Sequence, residues 1–186
     1  EGDPVFLARP PSLDWLAANA LTTSLAAHGT AVGMPSDADM GNSEVGHNAL
    51  GCGRVYDQGA KLVSEAIADG RIWRGPVWQK LSERVRQSGQ PLHLVGLLSD
   101  GNLHSHIDHV FGLIRRADEE EIRWLRLHVL LDGRDVPERS ALTYVDATEK
   151  LLDALRARGR DYRIASGGGR MLVTMDRYQA DWRIVE

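Results

Sequence analysis

Residues 91–106 read PLHLVGLLSDGNLHSH, and residues 125–135 read LRLHVLLDGRD. Each begins with an apolar run of strand length: Pro91–Leu98, which reads as a buried strand, and Leu125–Leu131. Each run breaks off at an Asp-Gly pair, a common turn former. A third run, Tyr162–Ala165, ends in Gly167, Gly168 and Gly169. Helical periodicity fills the intervals. Ser105–Glu120 sets Ile107, Val110, Phe111 and Ile114 on one side. Ser140–Arg158 sets Leu142, Val145, Leu151, Leu152 and Leu155 at helical spacing. Strands alternating with helices predict βαβ units, hence an α/β fold with a mostly parallel sheet and flanking helices.

Working toward the N-terminus, Asp57 is placed to cap a helix running through Ile67, with Leu62, Val63 and Ala66 on one side, and Gly70 ends it. A second helix is expected over about 77–87. Pro10, Pro11 and Ser12 open a helix whose Leu13, Leu16 and Ala17 share a face, with Ser12 as its cap. Thr22–Ala26 reads as a short strand and Gly33–Asn42 as a loop. Ser43 then stands where a new helix starts. The change from loop to long helix predicts a domain boundary near residue 57, dividing the chain into 1–57 and 58–186.

The whole chain has 186 residues, enough for one domain or one plus part of another. Its formal net charge of −4 lacks the basic footprint of nucleic-acid binding. A local arginine cluster on an acidic protein can still hold a small anion. No run approaches the ~18 apolar residues of a membrane span. Cys52 is the single cysteine, so no intrachain disulfide forms, which fits a reducing compartment. In an apolar run it reads as a small buried hydrophobe.

In parallel sheets, ligands gather beyond the carboxyl ends of the strands. There the sequence sets Ser99-Asp100 through His104 and His106, then Asp132-Gly133-Arg134-Asp135, then Gly169-Arg170 and later Asp176-Arg177. Guanidinium groups fork onto carboxylates and phosphates, so three such loops on one edge would make an anion pocket. Taken singly, these residues also have plainer readings. Arg134 between two aspartates can be a loop ion pair, and the glycine run lacks any dinucleotide or P-loop spacing and reads as a flexible turn. His104, His106 and His109 suggest a metal set by count, but the last two fall along the following helix, where capping is the commoner role. Asp118–Glu121 reads as a solvated charged face.

Residues 40–51, MGNSEVGHNALG, set Ser43 at a helix start between Gly41 and Gly46. Backbone N–H groups and the positive dipole end favour an incoming phosphate there. An N-cap serine is the ordinary reading. Val45 breaks the Gly-x-Ser-x-Gly elbow, so a serine-hydrolase assignment has little support.

Residues 41–47 (GNSEVGH) with the following GRVY of 53–56 closely resemble the nucleophile segment of cofactor-independent phosphoglycerate mutases, in the alkaline phosphatase superfamily. Residues 99–106, 131–136, and Gly169-Arg170 with 175–177 resemble three further segments of that family, in order. The resemblance implies a partial alkaline-phosphatase-like domain over 1–57 and part of an inserted transferase-type domain over 58–186. It implies that Ser43, bound to one of two divalent metals, takes the phosphate of 3-phosphoglycerate as phosphoserine. It assigns substrate binding to His104, Arg134, Asp135, Arg170 and Arg177, with Asp135 moving the glycerate protons. Mn2+ is the expected metal, with Mg2+ or Co2+ as alternatives, and 2,3-bisphosphoglycerate is not required. A cytoplasmic protein, monomeric at full length, is expected.

The family's other metal ligands would fall before Glu1 and after Glu186, and Asp108-His109 imitates its metal pair in the wrong segment. The 186 residues are therefore expected to be an internal piece, inactive alone. A metal-dependent phosphohydrolase of the same superfamily and a non-catalytic fragment are the competing readings. A phosphatase, however, has no need of glycerate-holding loops.

Overall fold

The computed structural model describes residues 4–175 together with Asp181 and Arg183. In chain order it contains α1 (Pro4–Ala8), α2 (Pro11–Asn19), a 3-10 turn (Gly29–Val32), α3 (Ser43–Cys52) and α4 (Gly59–Ala68). Then follow α5 (Arg71–Arg74), α6 (Pro76–Ser88), β1 (Leu92–Leu98), α7 (Ile107–Glu119), β2 (Trp124–Leu131), α8 (Ala141–Arg156), β3 (Asp161–Gly169) and α9 (Arg170–Val173). The expected α/β architecture is present: the strands form one parallel sheet in the order β1-β2-β3. Leu92 pairs with Leu125 and Leu98 with Leu131, so the two apolar runs end level and deliver their loops to the same edge.

The core sits between one face of the sheet and the helices. Leu125, Leu127 and Val129 of β2 point into it with Leu92, Leu98 and Tyr162. They meet Ile107, Ile114 and Ala117 of α7, Leu152 and Leu155 of α8, and Trp78 and Val85 of α6. Tyr162 buries its ring completely and its hydroxyl donates to the Ile122 carbonyl at 2.7 Å. Burial pushes that phenol up to about 12.

Several expectations are corrected. β1 is buried on one face only: His93 and Val95 alternate outward and Val95 is 74% exposed. The glycine run is not a flexible turn. It extends β3 to Gly169, pairing with Val129, Leu130 and Leu131 after a bulge. A Cβ on Gly168 would lie 2.6 Å from Val173 Cγ2, so the close approach of α9 demands glycine. Leu142 faces solvent.

Thr22–Ala26 forms no strand and is exposed throughout, because no neighbouring strand accepts its backbone bonds among the described residues. Ser12 lies inside α2, whose Leu13 and Leu16 are exposed. Gln58, not Asp57, precedes α4, and Asp57 pairs with Lys61 instead. Cys52 is exposed.

The charge run Asp118–Glu121, at the end of α7, is solvated only at Glu119 and Glu121. Asp118 is buried between Arg158 and Arg160, and Glu120 accepts from Trp78 Nε1 and Arg116 Nε. Long basic side chains from the α8–β3 turn cover the acid, a contact that local sequence does not announce.

The N-terminal residues join the rest through hydrogen bonds, among them those at Val32, Gly33 and Asp39. Gly33 has φ +85°, and a Cβ there would fall 1.8 Å from the Tyr56 carbonyl oxygen. Gln58 donates from its backbone to Gly33 and from its side chain to Val32. Among the described residues no helix is long and apolar enough to cross a membrane.

Candidate active site at the carboxyl edge of the sheet

Asp132 is the first residue beyond β2, and it is buried. Its Oδ1 accepts from the backbone N–H of Arg134 and of Asp135, each at 3.1 Å, which folds the turn that Gly133 permits with φ +83°. Its Oδ2 accepts from Ser99 Oγ at 2.6 Å, so the turns after β1 and β2 are joined. Arg170, at the start of α9, donates from Nη1 to Asp132 Oδ1 at 2.9 Å and to Asp135 Oδ2 at 2.8 Å. Three loops from three strands thus meet on one buried ion cluster.

The electrostatics follow from this wiring. Burial alone would push the Asp132 carboxyl up. The Ser99 hydroxyl, the two backbone N–H groups and Arg170 outweigh burial and hold it below the usual carboxylate range. For Arg170 burial opposes the charge, and the bonds to Asp135 and Asp132 overcome it, raising the guanidinium further. Among the described residues both ion pairs leave from Nη1 and no hydrogen bond engages Nε or Nη2, in a side chain that is 7% exposed.

His104 is half-exposed, with Nε2 4.0 Å from Asp135 Oδ2. Arg134 is exposed, with Nη1 3.8 Å from Met175 Sδ. Of the expected set, His104, Asp135 and Arg170 therefore stand together, and Arg134 leaves the same turn. Arg177 lies outside the described residues.

The sequence reading missed Asp132 and Ser99 as organisers, and Tyr144, whose hydroxyl donates to Asp100. The available signal for the first two was position: each directly follows a strand.

Gly101 lies against this cluster. A Cβ there would come 2.7 Å from Asp135 Cβ and 3.3 Å from its carbonyl oxygen. Gly101→Ala is expected to displace the Asp135 turn and cost about 1–3 kcal/mol, as overpacking does. Urea unfolding of the two proteins measures it.

Ser43 is the first residue of α3 and is exposed. The cap is Asn42, whose Oδ1 accepts from Val45 N at 2.9 Å, so the Ser43 hydroxyl is not spent on capping. His47 Nδ1 lies 2.6 Å from the Ser43 carbonyl oxygen, one turn on. Asn42 and Glu44, which flank Ser43, line a cleft of about 190 Å³ together with Asn102 and Leu103 of the loop after β1. Asn102, at φ +56°, donates to Asp39 Oδ1 at 2.7 Å and ties that loop to the segment before Ser43.

His106 and His109 have other partners. His106 caps α7 by accepting from Asp108 N, and His109 Nε2 lies 2.9 Å from Ser64 Oγ. Burial, aided by His106, lowers the His109 pKa. Among the described residues no three His, Cys, Asp or Glu converge in a set that could hold a metal ion. Among the described residues, therefore, no metal-ligating set surrounds Ser43 Oγ.

The chain has counterparts among known proteins. Residues 63–186 match the family described as BPG-independent PGAM N-terminus (iPGM_N). A probable 2,3-bisphosphoglycerate-independent phosphoglycerate mutase of Leptospira interrogans is 56% identical over 185 residues, covering 100% of this chain and 34% of the relative. The 2,3-bisphosphoglycerate-independent phosphoglycerate mutase of Trypanosoma brucei brucei is 51% identical over 187 residues, again covering 100% of this chain and 34% of the relative. Among solved structures, Leishmania mexicana phosphoglycerate mutase at low cobalt concentration matches with a TM-score of 0.84 and 50% identity, covering 94% of this chain and 32% of that one. The chain spans about a third of the length of the curated relatives it matches.

Proposed function

The chain belongs to the family of 2,3-bisphosphoglycerate-independent phosphoglycerate mutases, and on that footing we propose that the full-length protein carrying it interconverts 3-phosphoglycerate and 2-phosphoglycerate. The observation that carries the reading is the meeting of Asp135, Arg170 and His104 at the strand ends, beside a loop hydrogen-bonded to the segment leading into Ser43. In this proposal residues 1–57 hold the nucleophile and 58–186 grip the substrate.

Ser43 Oγ attacks the phosphorus, its bond to phosphorus forms as the substrate P–O bond breaks, and the serine's proton ends on the released glycerate hydroxyl. The glycerate stays bound and turns. Its other hydroxyl then takes the phosphoryl group back, losing its proton as Ser43 regains one. Asp135 carries these protons, and Arg134, Arg170 and Arg177 hold the carboxylate and phosphate, with His104 at the rim. The α3 N-terminus and its dipole favour the phosphoryl charge at Ser43.

Serine at its free pKa is a weak nucleophile. Divalent metal at Ser43, Mn2+ foremost with Mg2+ or Co2+ as alternatives, would supply the activating charge. The other ligands would come from parts of the longer protein. A cytoplasmic monomer completes the proposal.

Assay of the full-length protein with 3-phosphoglycerate tests it. Formation of 2-phosphoglycerate without added 2,3-bisphosphoglycerate is expected. Release of inorganic phosphate in its place would instead indicate a phosphohydrolase.

A further inference from the structure

The geometry points to Asp132 as a positioning residue, which aims the Arg170 guanidinium at the substrate without touching substrate itself. This inference rests on the proposed mutase reading and deepens it by naming what sets the orientation of the anion-binding fork.

The argument is one of wiring. The Asp132 side chain is 1% exposed, so it has no surface to offer a ligand. Its two oxygens collect four donors: Ser99 Oγ, the N–H groups of Arg134 and Asp135, and Arg170 Nη1. A carboxylate has about four acceptor sites, and here Oδ1 takes three donors and Oδ2 one. Each of these bonds fixes a different moving part: the loop after β1, the turn that carries Arg134 and Asp135, and the guanidinium of α9.

Asp135 also bonds Arg170, but from the same Nη1. One contact on Nη1 lets the planar group pivot. A second acid on that nitrogen, at 2.9 Å, removes the pivot and sets which way Nε and Nη2 face. Without Asp132 the arginine keeps its charge and one partner but loses its aim. Affinity for the anion would then fall more than the chemical step, because the nucleophile and Asp135 remain.

The test uses the full-length protein and the variants Asp132→Asn, Arg170→Lys and the double variant. Asparagine is near-isosteric, and its one oxygen still serves the two turn N–H groups, while the Arg170 Nη1 bond to that same oxygen loses its charge assistance and no longer locks the guanidinium. Lysine keeps the charge but has no fork to orient. Asp132→Asn is expected to raise KM for 3-phosphoglycerate about tenfold with kcat changed less than about threefold. In the Arg170→Lys background the same substitution should change KM less than about twofold, since nothing planar is left to aim.

The Arg170 side-chain N–H resonances, assigned by their loss in Arg170→Lys, should exchange with water faster in Asp132→Asn. Equal, additive KM effects in both backgrounds would overturn the claim as a merely structural role. So would an unchanged KM in Asp132→Asn while Arg170→Lys raises it. If the full-length protein makes no 2-phosphoglycerate, the mutase reading falls and the resonances alone decide. Unchanged exchange in Asp132→Asn then ends the positioning claim, and faster exchange upholds it.

Discussion

Ser43→Ala in the full-length protein is expected to abolish phosphoenzyme formation and lower mutase turnover by at least about 10³-fold, with 3-phosphoglycerate binding nearly unchanged. The expectation comes from where the hydroxyl stands. Asn42 does the capping, so α3 loses no cap and the fold is untouched. Ser43 is exposed, so no cavity opens. Alanine also suits a helix interior or first turn. What disappears is the hydroxyl that capping leaves uncommitted at the helix start. The loops proposed to hold substrate lie elsewhere and keep their bonds to Asp132, through the backbone N–H groups of Arg134 and Asp135 and through Arg170 Nη1. Labelling with radioactive phosphate reads the phosphoenzyme, and calorimetric titration reads binding. A labelled alanine variant would remove Ser43 from the mechanism. Loss of binding together with loss of turnover would mean that the substitution disturbs the pocket.

Arg170→Ala is expected to be the most destabilising single change at the site. Asp132 and Asp135 are both largely buried, at 1% and 9% side-chain exposure, and Arg170 is the cation bonded to each. Removing one member of a buried pair costs about 3–5 kcal/mol, because a charge is left without compensation. A whole domain's stability is only about 5–15 kcal/mol. Water entering beside Asp135 would draw the cost toward the lower figure.

The pH dependence has a definite sign. In the native protein the Asp132 carboxyl lies below its unfolded value of 3.8. Its contribution is therefore present above that pH and lost as pH falls through the lowered native value. Without Arg170 one of the bonds opposing burial is gone, so the carboxyl rises. Acid unfolding of Arg170→Ala should begin at higher pH than that of the parent. Urea unfolding at neutral pH and an acid titration followed by circular dichroism measure both effects. An alanine variant as stable as the parent at neutral pH would show that the cluster is solvated in solution.

The sequence by itself determined the three strands of the sheet and the helices between them, and it marked the loops that meet, although it also offered Thr22–Ala26 as a strand that does not form. Apolar runs of strand length and the 3.6-residue periodicity of Ile107, Ile114, Leu152 and Leu155 are local signals, and local backbone preference obeys them. Residues 41–47 likewise put Ser43 at a helix start without help from the rest of the chain. Tertiary structure alone decided the partners. Arg170 meets Asp132 from 38 residues away and Asp118 meets Arg160 from 42, distances over which no periodicity specifies a pairing. Register fixed these contacts: β1 and β2 end level, so Ser99 and Asp132 face one another, and only then can a buried carboxylate gather four donors. The same holds for Gly168, whose glycine reflects the approach of Val173, and for Cys52, which an apolar neighbourhood in sequence left outside the core. Burial belongs to the packed molecule, because whether a side chain is covered depends on elements that lie elsewhere in the chain.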